Sequence, residues 1–278
     1  MCSKPIPRKL YKYRRFDVFC LRLLTHAKVM YSDPRLFNDP LDCDPTIEVD
    51  LDMMDLERLC YRMMRRTQPQ NPARSEIGNY RYLSSEYGDF KTQPHAEDTL
   101  KCMLAQRIKD ELTKEFGTFG VFLLSNRWGS VLMWGHYADH HRGVCIEFDT
   151  ADVGTAQFRP VNYRGARRIR ASDLLKWKRD GSAEAKRQVF DTFFLAKADP
   201  WRYEKEWRDI RTESGVKEAS LRVTAVYFGI QCDASVVQSI VKFLDVIRTL
   251  RFTAWHRLTI VSGSGAIIST ATRLGRVN

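Results

Sequence analysis

Long apolar runs and paired cysteines are both missing from this sequence. No stretch of about 18 uncharged apolar residues occurs, and residues 1–9 lack the apolar segment of a signal peptide. The sequence therefore predicts a cytoplasmic protein with no membrane partner. The cysteines are scattered without a Cys-x-x-Cys pair, which argues against a disulfide framework or a zinc knuckle and predicts reduced, largely buried thiols.

A metal-binding motif is lacking as well. His136 and His140 have the i, i+4 spacing that can hold zinc on a helix, but no Glu follows His136 and no third ligand is evident. The sequence therefore predicts no metal site at this helix.

Positive charge is abundant and unevenly placed. The chain of 278 residues has a net charge of +11. Residues 159–187 carry ten Lys and Arg against three acids, whereas residues 33–59 carry nine acids against two arginines. This separation favours a cationic face that contacts nucleic acid through residues 159–187. The alternative is that the opposite blocks neutralise each other across the fold.

Short strand patterns and amphipathic helix patterns are mixed along the chain, and no internal repeat appears. With 44% hydrophobic residues the chain can bury a full core. The pattern predicts an α+β fold, a single mixed α/β domain over residues 1–278 with an irregular and helical insertion around 50–115. Residues 67–95 are predicted to form a long surface loop. Strands are predicted at 10–14, 28–32, 120–124, 143–148, 161–163, 203–211, 221–229, 258–261 and 267–272, and helices at 16–26, 51–66, 96–116, 131–139, 171–179, 182–197 and 233–249.

Functional side chains are densest in residues 197–211, Lys-Ala-Asp-Pro-Trp-Arg-Tyr-Glu-Lys-Glu-Trp-Arg-Asp-Ile-Arg. As an extended strand, this segment places Glu204, Glu206 and Arg208 on one face. Two carboxylates about 7 Å apart on one face predict a site with one working acid and one supporting acid. The alternative is an exposed strand with cross-strand Glu–Arg pairs, in which a Glu206–Arg208 contact is solvated.

Four motifs, in this order, resemble a bacterial family catalogued as domain of unknown function 2971. They are Leu10 to Arg14, the pair Tyr31-Ser-Asp-Pro and Phe37-Asn-Asp-Pro, the segment Met133 to Phe148, and Lys197 to Arg208. The resemblance runs from residue 10 to about residue 230, and it supplies no chemistry.

A second resemblance, to ADP-ribosyltransferases, does supply chemistry. It rests on the order of a strand with a basic or aromatic residue, a strand that ends in Tyr-Ser, and a late strand with Glu-x-Glu. It implies a split, bent, mainly antiparallel sheet with NAD bound across it as a substrate. This chain departs from the family pattern because Tyr31-Ser32 is not followed by Ser-Thr-Ser, and because the basic residue of the first strand is either Lys12 or Arg14.

This resemblance implies a role for each matching residue. Glu206 would bind the ribose and stabilise an oxocarbenium-like cation, and Glu204 would orient or activate the acceptor. Tyr31 and Tyr137 would stack on nicotinamide with Trp134 excluding water, for which the alternative is core packing. The residues implied to bind NAD are Lys12, Tyr13, Arg14, Tyr31, Ser32, Asn38, Trp134, Tyr137, Lys197 and Arg208. The implied activity is ADP-ribosyl transfer to nucleic acid or protein, in a toxin or a phage-defence effector.

Two other functions stay open at this point. One is a non-catalytic module that binds nucleic acid or another partner, with Tyr163 and Trp177 as stacking residues beside the basic block. The other is a metal-dependent nuclease that uses Asp39, Asp42 and Asp44 together with the two glutamates.

Overall fold

The computed structural model describes residues 5–85, 95–151 and 158–247, together with the backbone of residues 257–258 and 269–270. In the last helix the side chains are described as far as residue 242. Contacts divide the chain into two compact units. Unit 1 comprises Met1–Ser32, Gly120–Val161 and Asp199–Asn278, and unit 2 comprises Asp33–Phe119 and Asn162–Ala198. The single-domain organisation stays a prediction.

Helices and strands are mixed along the chain, which confirms the predicted mixed α/β class. The helices are α1 Val18–His26, α2 Met53–Met64, α3 Gln70–Ser84, α4 Ala96–Phe116, α5 Val131–Tyr137, α6 Ala171–Asp180, α7 Ala183–Leu195 and α8 Ala234–Ile247. The strands are β1 Lys9–Arg14, β2 Lys28–Tyr31, β3 Thr46–Glu48, β4 Gly120–Ser125, β5 Val144–Asp149, β6 Arg159–Pro160, β7 Arg168–Arg170, β8 Glu206–Arg211, β9 Gly215–Glu218, β10 Arg222–Phe228, β11 Arg257–Leu258 and β12 Ser269–Thr270. Short 3-10 helices span Pro34–Leu36 and Asp199–Glu204.

Unit 1 is built on an antiparallel sheet of six strands in the order β10-β5-β1-β4-β8-β6. Strand β1 pairs with β5 along its whole length, but its register with β4 consists of the single pair Tyr11↔Ser125 within the described sheet. Farther along β4, Val121 instead bridges to Ser32. Strands β1 and β4 therefore diverge beyond Tyr11, while β4 and β8 stay paired along their full length.

Apolar side chains cover both faces of this sheet, because alternate residues of each strand point to opposite faces. One face packs under α1 and α8, through a cluster that includes Leu10, Phe122 and Trp207. The other face packs under α5, through a cluster that includes Tyr13, Trp134 and Tyr227. Helix α5 begins after the N-cap residue Ser130, whose Oγ atom accepts a hydrogen bond from the Met133 amide. The tyrosine-rich face under α5 is the side of the sheet to which the glutamates Glu147 and Glu206 belong by register.

Unit 2 contains the helices α2, α3, α4, α6 and α7 and the parallel strand pair β3–β7. Its core includes an aromatic cluster around Phe116, which packs against Phe193 at 4.8 Å and Phe194 at 5.1 Å between ring centroids. Trp177 stacks on Phe116, and the Lys178 ammonium lies 3.3 Å from the Trp177 ring centroid. Phe116 and Lys178 therefore cover the Trp177 ring, which was predicted to stack on nucleic acid.

The prediction of a long loop over residues 67–95 is wrong for Gln70–Ser84, which form helix α3. Pro72 lies in the first turn, where a missing N–H removes no intrahelical bond. The helix buries Ala73 and Ser84, too few residues to leave an apolar period in the sequence. Ion pairs fix it instead, because Glu76 lies 3.0 Å from Arg107 of α4. Residues 86–94 of the predicted loop lie outside the described residues.

The strand predicted at 161–163 is displaced toward the N-terminus, to Arg159–Pro160. Val161 still donates a hydrogen bond to the Glu206 carbonyl, whereas Asn162 forms a parallel bridge with Ala196 in unit 2. Of the tail strands, the backbone is described at 257–258 and 269–270, and the rest of those predictions lies outside the described residues.

The thiols follow the predicted pattern within the described part of the chain. Cys20, Cys43, Cys60 and Cys145 are buried and form no disulfide there, while Cys102 is exposed. Burial raises the pKa of Cys20 to about 12, so that thiol is unreactive at neutral pH. Among the described residues, no helix has both the length and the apolar content needed to cross a bilayer.

A left-handed turn follows α5. Asp139, His140 and His141 have φ values of 49°, 51° and 67°, a conformation that costs non-glycine residues about 1–2 kcal/mol each. Hydrogen bonds back to the helix hold the turn, including one from the His141 amide to the Trp134 carbonyl at 3.1 Å. Gly229 contacts the turn so closely that a Cβ atom there would lie 2.0 Å from the His141 carbonyl oxygen.

The methyl group added in Gly229→Ala overlaps backbone that cannot rotate away. We therefore expect this variant to lower the free energy of unfolding by about 1–3 kcal/mol. The matched control is Gly78→Ala in α3, where the space around a Cβ atom is open. That change should stabilise the helix by about 0.5–1 kcal/mol. Urea unfolding of both variants measures the difference, and equal stabilities would show that the turn adapts.

Candidate functional site

The two glutamates of the central segment do not lie on one strand. Glu204 ends the 3-10 helix Asp199–Glu204, whereas Glu206 begins β8. Lys205 between them has a φ of 47°, which breaks the extended conformation and ends the predicted alternation. The prediction that Glu204, Glu206 and Arg208 share a strand face is therefore correct for the last two and wrong for Glu204.

Glu206 and Arg208 form a buried ion pair. Arg208 Nε lies 3.0 Å from Glu206 Oε1, and Arg208 Nη2 lies 3.1 Å from Oε2. Arg208 is 0% exposed and Glu206 5%. The contact predicted to be solvated is thus a bidentate pair inside the protein, because β4 and β6 flank β8 on both sides. Removal of one partner from such a pair costs about 3–5 kcal/mol, since the other charge is left uncompensated.

Glu204 is also buried, with 3% of its surface exposed. Tyr137 Oη donates a hydrogen bond to Glu204 Oε1 at 2.5 Å, and Ser125 Oγ donates to the Glu204 carbonyl at 2.6 Å. Next to Tyr137, the His136 Nδ1 atom lies 2.9 Å from the hydroxyl of Tyr203. The last turn of α5 and the 3-10 helix therefore hold Glu204 in one position, through residues that are partly exposed.

Lys12 lies where β1 and β4 diverge. Its Nζ atom donates a hydrogen bond to the Leu123 carbonyl of β4 at 2.9 Å. Burial lowers the pKa of Lys12 to about 7, Arg14 adds to this lowering, and Glu206 and Glu204 oppose it. Its Nζ atom also lies 5.4 Å from the centroid of the Phe122 ring, on the face of the sheet that packs under α1 and α8. We call Tyr137, Glu204, Glu206 and Arg208 the carboxylate site.

Other predicted residues of unit 1 have structural contacts. Tyr13 and Trp134 are buried and meet edge to face at 5.3 Å, which matches the core-packing alternative for Trp134. Ser32 bridges to Val121 through its backbone. Arg14 pairs with Asp17 at 3.3 Å, and its buried Nε atom has no hydrogen-bond partner among the residues that the structure describes.

Tyr31 lies on the opposite side of the sheet from Glu206. Its hydroxyl donates to Asp209 at 2.6 Å, and the ring contacts Phe122 on one side and the Arg211 guanidinium on the other. Burial raises the pKa of Tyr31, and the hydrogen bond to Asp209 raises it further. The ring is 2% exposed, so it offers no free face for the stacking role that was predicted.

The remaining predicted residues belong to unit 2. Asn38 is exposed, and Lys197 is buried with its Nζ atom 3.2 Å from Asp42. Asp44 is paired with Lys109 at 2.7 Å, so two of the three acids proposed for a nuclease are neutralised by lysines. No group of three or more His, Cys, Asp or Glu among the described residues is placed to hold a metal ion.

A further buried carboxylate, Glu147, has no role in the sequence prediction. Thr224 and Tyr227 each donate a hydrogen bond to it at 2.8 Å, and Lys9 lies 3.0 Å away. Burial raises the pKa of Glu147, but the three hydrogen bonds outweigh burial and hold the pKa below its ordinary value. Trp128 stacks on Tyr227 at 5.1 Å. The sequence does contain a sign of Glu147, because it is the one acidic residue among the otherwise apolar residues 144–148 of β5.

Comparison with known proteins supports one of the two resemblances. The sequence profile of a family described as "Protein of unknown function (DUF2971)" matches residues 133–208. That segment contains most of α5, the left-handed turn, Glu204 and the Glu206–Arg208 pair. The wider resemblance, from residue 10 to about 230, stays a prediction. No curated protein and no solved structure matches the chain, so the ADP-ribosyltransferase-like fold has no support from this source.

Replacement of Lys12 should change how stability depends on pH. The pKa of Lys12 is about 7 in the folded protein against an ordinary 10.5. Between these values the unfolded chain binds a proton that the folded chain has lost, so the contribution of Lys12 to stability rises with pH. The unfolding free energy of the wild type should therefore rise relative to Lys12→Met by at least about 1 kcal/mol from pH 7 to pH 9.

Urea unfolding of both proteins at pH 7, 8 and 9 measures this difference. Groups other than Lys12 titrate in both proteins, and their contributions cancel when one curve is subtracted from the other. A difference that stays constant with pH would show that Lys12 is solvated in the folded state.

Proposed function

We propose that this chain is an NAD-dependent enzyme of the ADP-ribosyltransferase type, which transfers ADP-ribose to a macromolecular acceptor, nucleic acid or protein. The observation that carries the proposal is the pair of buried carboxylates, Glu204 and Glu206, on either side of a left-handed residue. A toxin or a phage-defence effector is the setting that fits such an activity.

The chemistry of the reaction explains why two buried carboxylates support it. Cleavage of the bond from ribose to nicotinamide passes through an oxocarbenium-like cation, as glycoside cleavage does. A carboxylate held in a water-poor site stabilises this charge without reorganisation. Glu206 is fixed by its two contacts with Arg208, and we assign it this role. Glu204, fixed by Tyr137, orients or activates the acceptor.

Two cations of β1, Lys12 and Arg14, suit a dinucleotide. A diphosphate beside Lys12 favours the charged form of the amine, so binding would take up a proton at neutral pH. The buried Nε atom of Arg14 has no hydrogen-bond partner among the described residues, and a phosphate oxygen would provide one. The divergence of β1 from β4 beyond Tyr11 also suits the split sheet that this class of enzyme implies.

The aromatic residues of the proposed site are those that keep exposed surface near Glu204. Tyr31 and Trp134 are buried in the core, whereas Tyr137 and Tyr203 keep exposed surface beside Glu204. In the proposal, Tyr137 keeps its stacking role and Tyr203 is added to it. The ring edge of His136 completes this wall, because it meets the ring of Tyr203 at 5.9 Å.

Glu206→Gln is the central test of the proposal. It keeps the shape of the side chain and removes the charge, so the rate of nicotinamide release from NAD should fall by about a hundredfold or more. Because Glu206 is paired with a buried arginine, the same change should also lower the melting temperature. The assay is therefore run well below both melting temperatures, with protein and nucleic-acid acceptors present.

Glu111→Gln in unit 2 is the matched control. Glu111 is 4% exposed and lies 3.0 Å from Arg107, so this variant also breaks a buried ion pair. It should lose stability but keep the wild-type rate of nicotinamide release. The proposal fails if the wild type releases no nicotinamide with any acceptor, or if Glu206→Gln and the wild type release it equally fast.

Glu204→Gln separates the two assigned roles. If Glu204 acts on the acceptor, this variant should still release nicotinamide to water but should transfer ADP-ribose at least about tenfold more slowly. Radiolabelled NAD, with counting of the acceptor and of free ADP-ribose, measures both products. Equal losses in transfer and in release would place Glu204 at the ribose instead.

A further inference from the structure

A cleft in unit 2 is rich in arginine. Helix α2 packs beside α6, and the space along them forms an open cleft of about 600 Å³. Its lining consists of Asp55, Arg58, Tyr61, Arg62, Arg65, Leu175 and Arg179. We call this the arginine cleft. Its volume lies within the range of ligand-binding sites, about 300–1,000 Å³, but its charged lining is unlike that of a typical apolar pocket.

The arginines form a stripe on one side of α2. Arg58, Arg62 and Arg65 follow one another at intervals of four and three residues, which places them on the same helix face over about 10 Å. All three are exposed, and so is Arg179 on α6. The stripe is therefore solvated and open along its length.

Acids in the structure neutralise part of this charge. Arg58 lies 3.2 Å from Asp55, and Arg179 lies 2.7 Å from Asp180. Within the lining itself, four arginines stand against one aspartate, which leaves a net charge of 4 − 1 = +3. Exposed pairs of this kind are weak because water and salt screen them, so a stronger anion can displace the carboxylates.

The cleft also contains an aromatic residue. Tyr61 lies on α2 between Arg58 and Arg62 and keeps part of its surface exposed. The Arg74 guanidinium lies 5.9 Å from its ring centroid and adds a further cation beside the cleft. A groove of cations with an aromatic ring is the combination with which proteins bind single-stranded nucleic acid.

We propose that the arginine cleft binds the phosphate backbone of single-stranded nucleic acid. A polymer fits better than a compact anion because the arginines are spread along a stripe and do not converge on one point. The overall charge of +11 attracts such a polymer from a distance. The contact is independent of base sequence, and it moves the nucleic-acid contact from the block 159–187 to α2, with Arg179 as the shared residue. The proposal does not rest on the enzymatic function.

The test is fluorescence anisotropy of a labelled 20-nucleotide single strand at several salt concentrations. A triple variant, Arg58→Gln, Arg62→Gln and Arg65→Gln, should bind at least about tenfold more weakly at 50 mM salt. The slope of log affinity against log salt should become shallower by about 2, since each lost phosphate contact contributes about 0.7. Glutamine suits a helix about as well as arginine, so α2 should remain folded.

The matched control removes three exposed arginines of the predicted basic block, Arg164→Gln, Arg168→Gln and Arg187→Gln. This control lowers the net charge by the same amount as the triple variant of the cleft but leaves the cleft intact. Its affinity for the oligonucleotide should lie within about threefold of the wild-type affinity. Asp55→Asn provides a test in the opposite direction, because removal of the acid from the cleft should tighten binding.

Several outcomes overturn the proposal. Absence of wild-type binding at low salt would do so, and so would equal losses in the two triple variants, which would show that binding follows net charge alone. A larger loss in the control variant would place the contact in residues 159–187. Displacement of the oligonucleotide by micromolar ATP would indicate a site for a small polyphosphate.

Discussion

The buried pair of Glu206 and Arg208 is the constraint on which the sheet of unit 1 depends. A guanidinium with no exposed surface must have a carboxylate beside it, because an isolated buried charge costs several kcal/mol. Both partners lie on one strand, two residues apart, so the pair forms only if β8 stays extended between β4 and β6. An apolar pair would stabilise the strand at least as well. The pair therefore constrains the conformation of β8 more than it adds to stability.

Backbone strain lies around the same charges. Lys205 is in the left-handed region between Glu204 and Glu206, and three more left-handed residues follow Tyr137, the donor to Glu204. Such conformations cost about 1–2 kcal/mol each and persist where surrounding contacts impose them. In unit 1 these contacts come from α5 and the 3-10 helix, which bring Tyr137 and Glu204 together. Strain and buried charge thus accumulate at one place, the site to which the proposed function assigns the chemistry.

Local patterns predicted most of the elements, because amphipathic helices such as α4 and apolar strands such as β5 leave a period in the sequence. Helix α3 left none, since it is held by ion pairs and buries little. The strand predicted to begin at Tyr203 is interrupted at Lys205. Tertiary contacts impose a left-handed conformation on this residue, and no neighbouring residue in the sequence indicates it. The composition predicted that Glu206 and Arg208 would be important, but not that they would be buried. The burial of Glu206 and Arg208 depends on parts of the chain that are distant in sequence, including β4 and β6. The burial of Tyr31 likewise depends on distant residues, Asp209 and Phe122.

The two units use charge in different physical regimes. In the carboxylate site the charges have lost their water, so each one acts strongly on its neighbours and must be held in place. The arginines of the cleft keep their water, and their mutual effects are weak and screened by salt. Fixed, desolvated charge suits the stabilisation of a transition state, whereas solvated charge suits attraction of a polyanion through release of counterions. The net charge of a sequence cannot express this distinction, because the two sites differ in desolvation, which is a property of the fold.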